Sequence, residues 1–154
     1  MRYISYYSSG NLGFAIAEAS FAAGANVTLF AGPGVARSKD AIKRIDVCSA
    51  EEMLDQVMRE MPKTDLFISV AAVADYKAKT ISANKIKKRD LAKTSPRIEL
   101  EETPDIIRCV ANMKERPLVI GFAAETDHAV QNAKIKLKDK NLDAIVVNDV
   151  SRND

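Results

Sequence analysis

Residues 66–73 read Leu-Phe-Ile-Ser-Val-Ala-Ala-Val, an almost unbroken apolar run that decides the fold class. Such a run is typical of a strand that is covered on both faces, as strands in parallel sheets are. Residues 118–123 and 142–147 repeat the pattern further along the chain. Helical periodicity alternates with these runs, so the sequence predicts an α/β domain with a parallel sheet and helices on both faces.

The other predicted elements follow from period, turn residues and capping residues. They are helices over 11–23, 49–61, 104–113 and 126–140, and short strands over 27–30 and 42–47, the latter nearer the sheet edge. Ser49 and Thr103 stand where the second and third helices should be capped. His128, the single histidine, is expected on the surface in the first turn of the last helix. Segment 77–102 lacks a clear helical period, and loops of that length are often functional.

Composition bounds the class of protein. The 154 residues fit one domain, and 23 basic against 21 acidic residues leave a net charge of +2. That balance does not indicate binding to nucleic acid or to a membrane. Cys48 and Cys109 lie far apart, so neither a zinc site nor a redox motif is indicated, and we expect two free, half-buried thiols. Without a signal peptide or a long apolar run, the sequence predicts a cytoplasmic protein.

Ligands in parallel α/β folds bind beyond the carboxyl ends of the strands, which directs attention to the segments after residues 73, 123 and 147 and to the turn before the first helix. Three segments could carry chemistry. Ser8-Ser9-Gly10 precedes the first helix, where exposed amides and the helix dipole favour an anion; a simple cap with close-packing glycines is the alternative. Asp75 follows the strand at 66–73 and suits a base edge, a sugar or a metal ion. Aspartate is also a common turn residue, so both interpretations of Asp75 stay open.

Cations concentrate in the third segment, Lys85-Ile86-Lys87-Lys88-Arg89. Such a cluster would attract a polyphosphate and stabilise its departing charge, although lysine runs are more often solvated surface. On the last predicted helix, Lys136 and Lys140 are four residues apart and share one face. These two lysines could point jointly at a phosphate.

In their order along the chain, these segments resemble the synthetase domain of bacterial phosphopantothenoylcysteine synthetases. The most distinctive matches are Ala-Ala-Val-Ala-Asp-Tyr at 71–76, Lys-Ile-Lys-Lys at 85–88 and Gly-Phe-Ala-Ala-Glu-Thr at 121–126. The remaining matches lie at 2–5, 8–10, 13–17, 24–29, 32–33, 103–106 and 148–150. The resemblance therefore covers nearly the whole chain.

The resemblance implies a Rossmann-like, dimeric ligase of coenzyme A biosynthesis. Such an enzyme activates the carboxylate of 4′-phosphopantothenate with CTP and Mg²⁺, which yields an acyl-cytidylate and pyrophosphate. The amine of cysteine then attacks the acyl carbon and releases CMP. Segment 77–102 would act as a flap over the site and help to form the dimer.

Site residues are implied position by position. The resemblance makes Lys85 the catalytic cation at the triphosphate, and leaves the protein ligands of the metal unassigned. The residues that it implies in contact with CTP are Ser69, Val70, Ala71, Asp75, Lys85, Thr103, Pro104, Asp105, Ile106, Phe122, Lys136 and Lys140.

Two departures from the family pattern matter. Tyr6 stands where the family has an asparagine linked to the acyl-cytidylate, and a phenol lacks the paired donor and acceptor of an amide. The family also has a strand and a Gly-Gly-Thr loop before Arg2 and more chain after Asp149, so we expect an incomplete domain. The alternative is then a non-catalytic nucleotide-binding or dimerisation remnant. A plain NAD(P) domain is disfavoured, because no Gly-x-Gly-x-x-Gly follows a first strand.

Overall fold

The computed structural model describes residues 9–33, 41–81, 97–125 and 128–149. Helices and strands alternate through these ranges, and a short 3₁₀ turn, Met61–Lys63, follows the second helix. The helices are α1 Asn11–Ala22, α2 Ala50–Glu60, α3 Ile106–Ala111 and α4 Ala129–Asp139. The strands are β1 Thr28–Ala31, β2 Lys43–Asp46, β3 Leu66–Ser69, β4 Tyr76–Ala78, β5 Leu100–Glu102, β6 Leu118–Glu125 and β7 Ala144–Asp149.

Parallel pairing dominates the described strands and confirms the predicted α/β class. β6 lies between β3 and β7, and both neighbours run parallel to it. β1 and β2 form a second parallel pair. The exception is the antiparallel pairing of β4 with β5, which we call the ribbon. The ribbon occupies the two ends of segment 77–102, whereas residues 82–96 lie outside the described ranges.

The helix caps agree with the sequence at α2 and differ at α3. Ser49 caps α2 as expected, because its side chain accepts a hydrogen bond from the N–H of Glu52 at 3.1 Å. Thr103 was expected to cap α3, and that prediction is wrong: Asp105 is the cap, accepting from the N–H of Arg108 at 3.2 Å. The reason is that α3 begins only at Ile106, and the hydroxyl of Thr103 instead donates to the carbonyl of Ala74.

Burial is lower than the apolar runs suggested. Leu66 and Leu118, at the amino ends of their strands, are 46% and 60% exposed, so these strands are not covered on both faces throughout. Cys48 and Cys109 are free, as expected, but exposed rather than half-buried. His128 is exposed as expected, yet it precedes α4 in a left-handed conformation instead of lying in the first turn. The pattern of apolar residues in the sequence identifies which positions are apolar, but it does not give the fraction of each side chain that the fold buries.

The core forms where α2 and α3 meet β6. Val57 and Met61, Ile106, Val110 and Val119 are buried there together. Val110 and Val119 have no exposed surface, and burying each such side chain contributes about 1.5–3 kcal/mol. The core therefore fixes the start of α3 beside β6. No helix within the described ranges is both long enough and apolar enough to cross a membrane.

Candidate functional site

A cleft of about 200 Å³ opens beyond the carboxyl end of β3, beside β6 and the start of α3. Five parts of the chain line it: the end of β3, the connection from the ribbon to α3, β6, the last turn of α4 and the segment that enters β7. The predicted contact residues that line it are Ser69, Val70, Ala71, Asp75, Thr103, Pro104, Asp105, Ile106, Phe122, Lys136 and Lys140. The fold thus brings together the implied contacts that fall within the described ranges.

The end of β3 supplies main-chain polar groups to the cleft. Ser69 lies opposite Gly121 in the last ladder pair between β3 and β6. Past this pair the chain turns, and the N–H of Val73 donates to the carbonyl of Ala71 at 3.0 Å. Backbone groups that have left a ladder need partners from elsewhere, so the edge at Val70 and Ala71 can pair with a flat polar ligand.

Asp75 and Thr103 form the rim where the ribbon joins the cleft. The carbonyl of Asp75 accepts from the N–H of Thr103 at 2.9 Å. The hydroxyl of Thr103 donates to the carbonyl of Ala74, so the main chain of this rim is doubly connected. Asp75 is exposed and lines the cleft.

The C-terminal end of α4 brings cations to the cleft. Nζ of Lys140 lies 3.0 Å from Oδ2 of Asp105, the residue that also caps α3. Lys136 lies one helical turn earlier and lines the same cleft. Asp105 therefore has two structural contacts, and it holds one ammonium group at the mouth of the cleft.

Two residues of the predicted phosphate loop, Ser9 and Gly10, are described, and neither lines the cleft. Gly10 adopts φ 72° immediately before α1, a left-handed conformation that glycine tolerates without strain. Ser9 Oγ accepts a long hydrogen bond, 3.4 Å, from the N–H of Asn11. A Cβ placed on Gly13 would lie 4.0 Å from Cβ of Val70, which puts the first turn of α1 next to the cleft.

Outside the described ranges lie Tyr6, Ser8 and the cation cluster at 85–89. The roles that the resemblance implies for Ser8 and Lys85, and the effect of the phenol at position 6, stay predictions.

The apolar floor of the cleft escaped sequence reasoning. It includes Gly121, Ile107 and Leu142, together with Ile145 from β7. A Cβ on Gly121 would come within 2.9 Å of Leu142 Cδ1 and 3.1 Å of Ile107 Cδ1. A glycine inside an apolar strand is a signal of close approach, and that signal could have identified Gly121.

The chain matches a known protein family along its whole length. Residues 1–154 match the family model described as the DNA/pantothenate metabolism flavoprotein C-terminal domain. The chain belongs to this family. Its matched residues include every segment that lines the cleft.

Curated relatives in the family are longer than this chain. It is 46% identical over 153 residues to the coenzyme A biosynthesis bifunctional protein CoaBC of Escherichia coli strain K12. It is 47% identical over 152 residues to the protein of the same name from Haemophilus influenzae. These matches cover 99% and 98% of the chain but only 38% and 37% of the relatives. The chain therefore spans less than half the length of these proteins.

Solved structures agree with the family assignment. The crystal structure of the C-terminal domain of CoaBC matches with a TM-score of 0.80 at 38% identity, over 95% of this chain and 67% of that one. The crystal structure of the DNA/pantothenate metabolism flavoprotein from Streptococcus pneumoniae matches with a TM-score of 0.78 at 23% identity, over 96% of this chain and 75% of that one, which supports the fold alone. Together they confirm the Rossmann-like fold class.

Proposed function

We propose that this chain binds CTP in the cleft and catalyses the ligation of 4′-phosphopantothenate to cysteine in coenzyme A biosynthesis. The observation that carries the proposal is convergence: contact residues inferred from segments far apart in sequence line one cleft. Relatives whose names include coenzyme A biosynthesis match 98–99% of the chain and support the same function. An enzyme of this pathway would work in the cytoplasm.

The volume of the cleft suits part of a nucleotide rather than the whole of it. About 200 Å³ is below the 300–1,000 Å³ typical of sites that enclose a whole ligand, so the cleft would hold the nucleoside and leave the phosphates at its mouth. The main chain at 69–71 would pair with the edge of the base. The carboxylate of Asp75 would accept from a ribose hydroxyl or from the amino group of cytosine.

The triphosphate would then meet the cationic rim. Lys136 and Lys140 line the mouth of the cleft, and Lys85 is the further cation that the family resemblance implies. Pyrophosphate gathers negative charge as it departs, so fixed ammonium groups stabilise the transition state more than the ground state. Within the described ranges no group of three or more His, Cys, Asp or Glu side chains could hold a metal ion, so Mg²⁺ would accompany the triphosphate and be bound mainly by phosphate oxygens and water.

The reaction would proceed in two half-reactions. The carboxylate of 4′-phosphopantothenate attacks the α-phosphorus of CTP, forming the acyl-cytidylate and releasing pyrophosphate. The amine of cysteine attacks the acyl carbon, the bond to the cytidylate oxygen breaks, and CMP leaves. The cleft residues bind and orient the nucleotide in the first step, which brings the reacting atoms together.

Calorimetric titration with CTP and Mg²⁺, with ATP as the comparison, tests the site. We expect saturable binding that is selective for CTP, and weaker binding in Asp75→Ala with an unchanged urea midpoint. Lys85→Gln should likewise weaken binding or activation. If neither nucleotide binds, the proposal fails; if Asp75→Ala only lowers stability, Asp75 is a turn residue rather than a contact.

A non-catalytic nucleotide-binding module is the second candidate, and the observation that favours it is Tyr6 in the position of the family asparagine. Pyrophosphate release and phosphopantothenoylcysteine formation should be measured separately. Pyrophosphate without ligated product in the native chain, with product restored in Tyr6→Asn, would favour impaired second-step chemistry. Absence of both products in a chain that binds CTP would support the module.

We also propose a homodimer that involves segment 77–102. Apolar side chains on and beside the ribbon are exposed, among them Tyr76 at 50%, Ile98 at 62% and Leu100 at 47%. Exposed apolar surface on adjacent positions commonly marks an interface. Sedimentation equilibrium should give twice the 16.9 kDa chain mass, and Leu100→Lys should shift the species toward monomer.

A further inference from the structure

Lys77 connects the ribbon to helix α2. Its ammonium group donates a hydrogen bond to the carboxylate of Glu51, in the first turn of α2. The same Nζ lies 3.3 Å from Oε1 of Glu101. Lys77 and Glu101 are directly opposed in the ribbon, so their contact is internal to it. The contact with Glu51 differs in kind, because it joins the ribbon to another element.

The ribbon is hydrogen-bonded directly onward to residues that line the cleft. The pair Tyr76–Glu102 is followed by the hydrogen bond from the N–H of Thr103 to the carbonyl of Asp75. Asp75 and Thr103 both line the cleft. A displacement of β4 and β5 therefore displaces two of the rim residues.

Helix α2 provides a firm anchor for this connection. Ser49 caps the helix, and the carboxylate of Glu52 accepts from the N–H of Cys48 at 2.8 Å, so the first turn is held from both sides. Further along, Val57 packs in the core with Ile106, which lines the cleft. Lys77 thus joins the ribbon to α2, and α2 shares its core contacts with Ile106 of the cleft lining.

We propose that Lys77 is a positioning residue that, through Glu51, sets the placement of Asp75 and Thr103 and thereby the affinity of the cleft for its nucleotide. The inference rests on the proposed CTP site. The hydrogen bond from Lys77 lowers the pKa of Glu51, so the pair is charged at neutral pH. Because the side chains are 41% and 45% exposed, the effect on affinity is moderate, about two- to fivefold.

The test compares Glu51→Gln with the matched control Glu101→Gln, since each removes one carboxylate from Lys77 but only the first detaches the ribbon from α2. Calorimetry with CTP and Mg²⁺ should show affinity reduced about two- to fivefold in Glu51→Gln and unchanged in Glu101→Gln. Lys77→Arg should retain native affinity. Urea midpoints should match, which separates positioning from stability. Equal losses in both carboxylate variants would overturn the proposal.

A double-mutant cycle shows whether the effect passes through the rim. In an Asp75→Ala background, Glu51→Gln should reduce affinity by less than it does in the native chain. The same fold loss in both backgrounds would contradict the proposed route through Asp75.

Failure of the proposed function is distinguishable from failure of this inference. If the native chain does not bind CTP, the CTP site is wrong, and amide exchange then decides the role of Lys77. The amide of Thr103 should exchange faster in Glu51→Gln than in the native chain or in Glu101→Gln. Unchanged exchange at Thr103 would overturn the inference without reference to any ligand.

Discussion

The two edges of the β3–β6–β7 sheet each hold an aspartate paired with a cation, but the pairs are built differently. At the amino edge, Arg116 contacts both carboxylate oxygens of Asp143, at 2.5 and 3.0 Å, and Asp143 also accepts from the N–H of Val119 at 2.7 Å. At the carboxyl edge, Lys140 makes one contact of 3.0 Å with Asp105. A hollow lies at each edge, and at the amino edge it is lined by Arg116, Asp143 and their neighbours.

The difference between the two edges lies in the polar groups that each leaves available to a ligand. Arg116 and Asp143 hydrogen-bond to each other, and Asp143 also accepts from the backbone of β6. This edge therefore offers a ligand few available donors or acceptors. The carboxyl edge instead combines main-chain groups that have left the ladder with a rotatable ammonium group. We therefore interpret the Arg116–Asp143 pair as a structural clamp and the Lys140–Asp105 pair as part of the site.

The largest effect expected is on affinity at the carboxyl edge. Lys140→Gln should weaken CTP binding about tenfold or more, because a charge-assisted hydrogen bond to a phosphate contributes about 1.5–3 kcal/mol. Lys138→Gln on the same helix is the control, since Lys138 is exposed and does not line the cleft. Calorimetry measures both, and equal affinities for the two variants would remove Lys140 from the site.

Asp143→Ala should act on stability alone. It removes the bidentate pair and leaves the N–H of the buried Val119 without its acceptor, so the urea midpoint should fall by about 0.5–1 M. CTP affinity should stay native under folding conditions. A loss of affinity without a shift in midpoint would mean that the amino edge takes part in binding and that the comparison is wrong.

Gly121→Ala probes the packed floor between the two edges. The new methyl group would press on the tips of Leu142 and Ile107, flexible ends that can shift, so we expect a cost of about 1 kcal/mol and a few-fold loss of CTP affinity. Gly32→Ala is the matched control, because a Cβ there meets nothing within 4 Å. Native stability and affinity in Gly121→Ala would show that the floor accommodates the extra volume.

The smallest effect concerns acid pH. The hydrogen bond from Arg116, followed by that from the N–H of Val119, lowers the pKa of Asp143. A carboxyl with a lowered folded-state pKa stabilises the fold above its unfolded pKa, and this contribution is lost as the pH falls through the folded value. The stability difference between the native chain and Asp143→Asn should therefore be present at pH 7 and shrink below about pH 4. A difference independent of pH would show that the charge of Asp143 is not involved.

Parts of the fold could be predicted because they depend on the pattern of apolar, polar and capping residues within a short stretch of sequence. The alternation of apolar runs with helical periods depends on neighbours within a few residues, so the parallel strands and the cap at Ser49 could be predicted. The prediction failed at Thr103, where a long-range partner decided the outcome. Its hydroxyl donates to the carbonyl of Ala74, 29 positions earlier, and Asp105 is the cap instead.

The sequence by itself determined the α/β class, the family resemblance and the segments that line the cleft, since each resides in a contiguous stretch of residues. Only the tertiary structure decided the pairing of Lys140 with Asp105, the link from Lys77 to Glu51, and the close packing of Gly121. Each joins residues that are far apart along the chain. Local preferences carry no information about such distances, because the packing of whole helices and strands in the core decides which side chains meet.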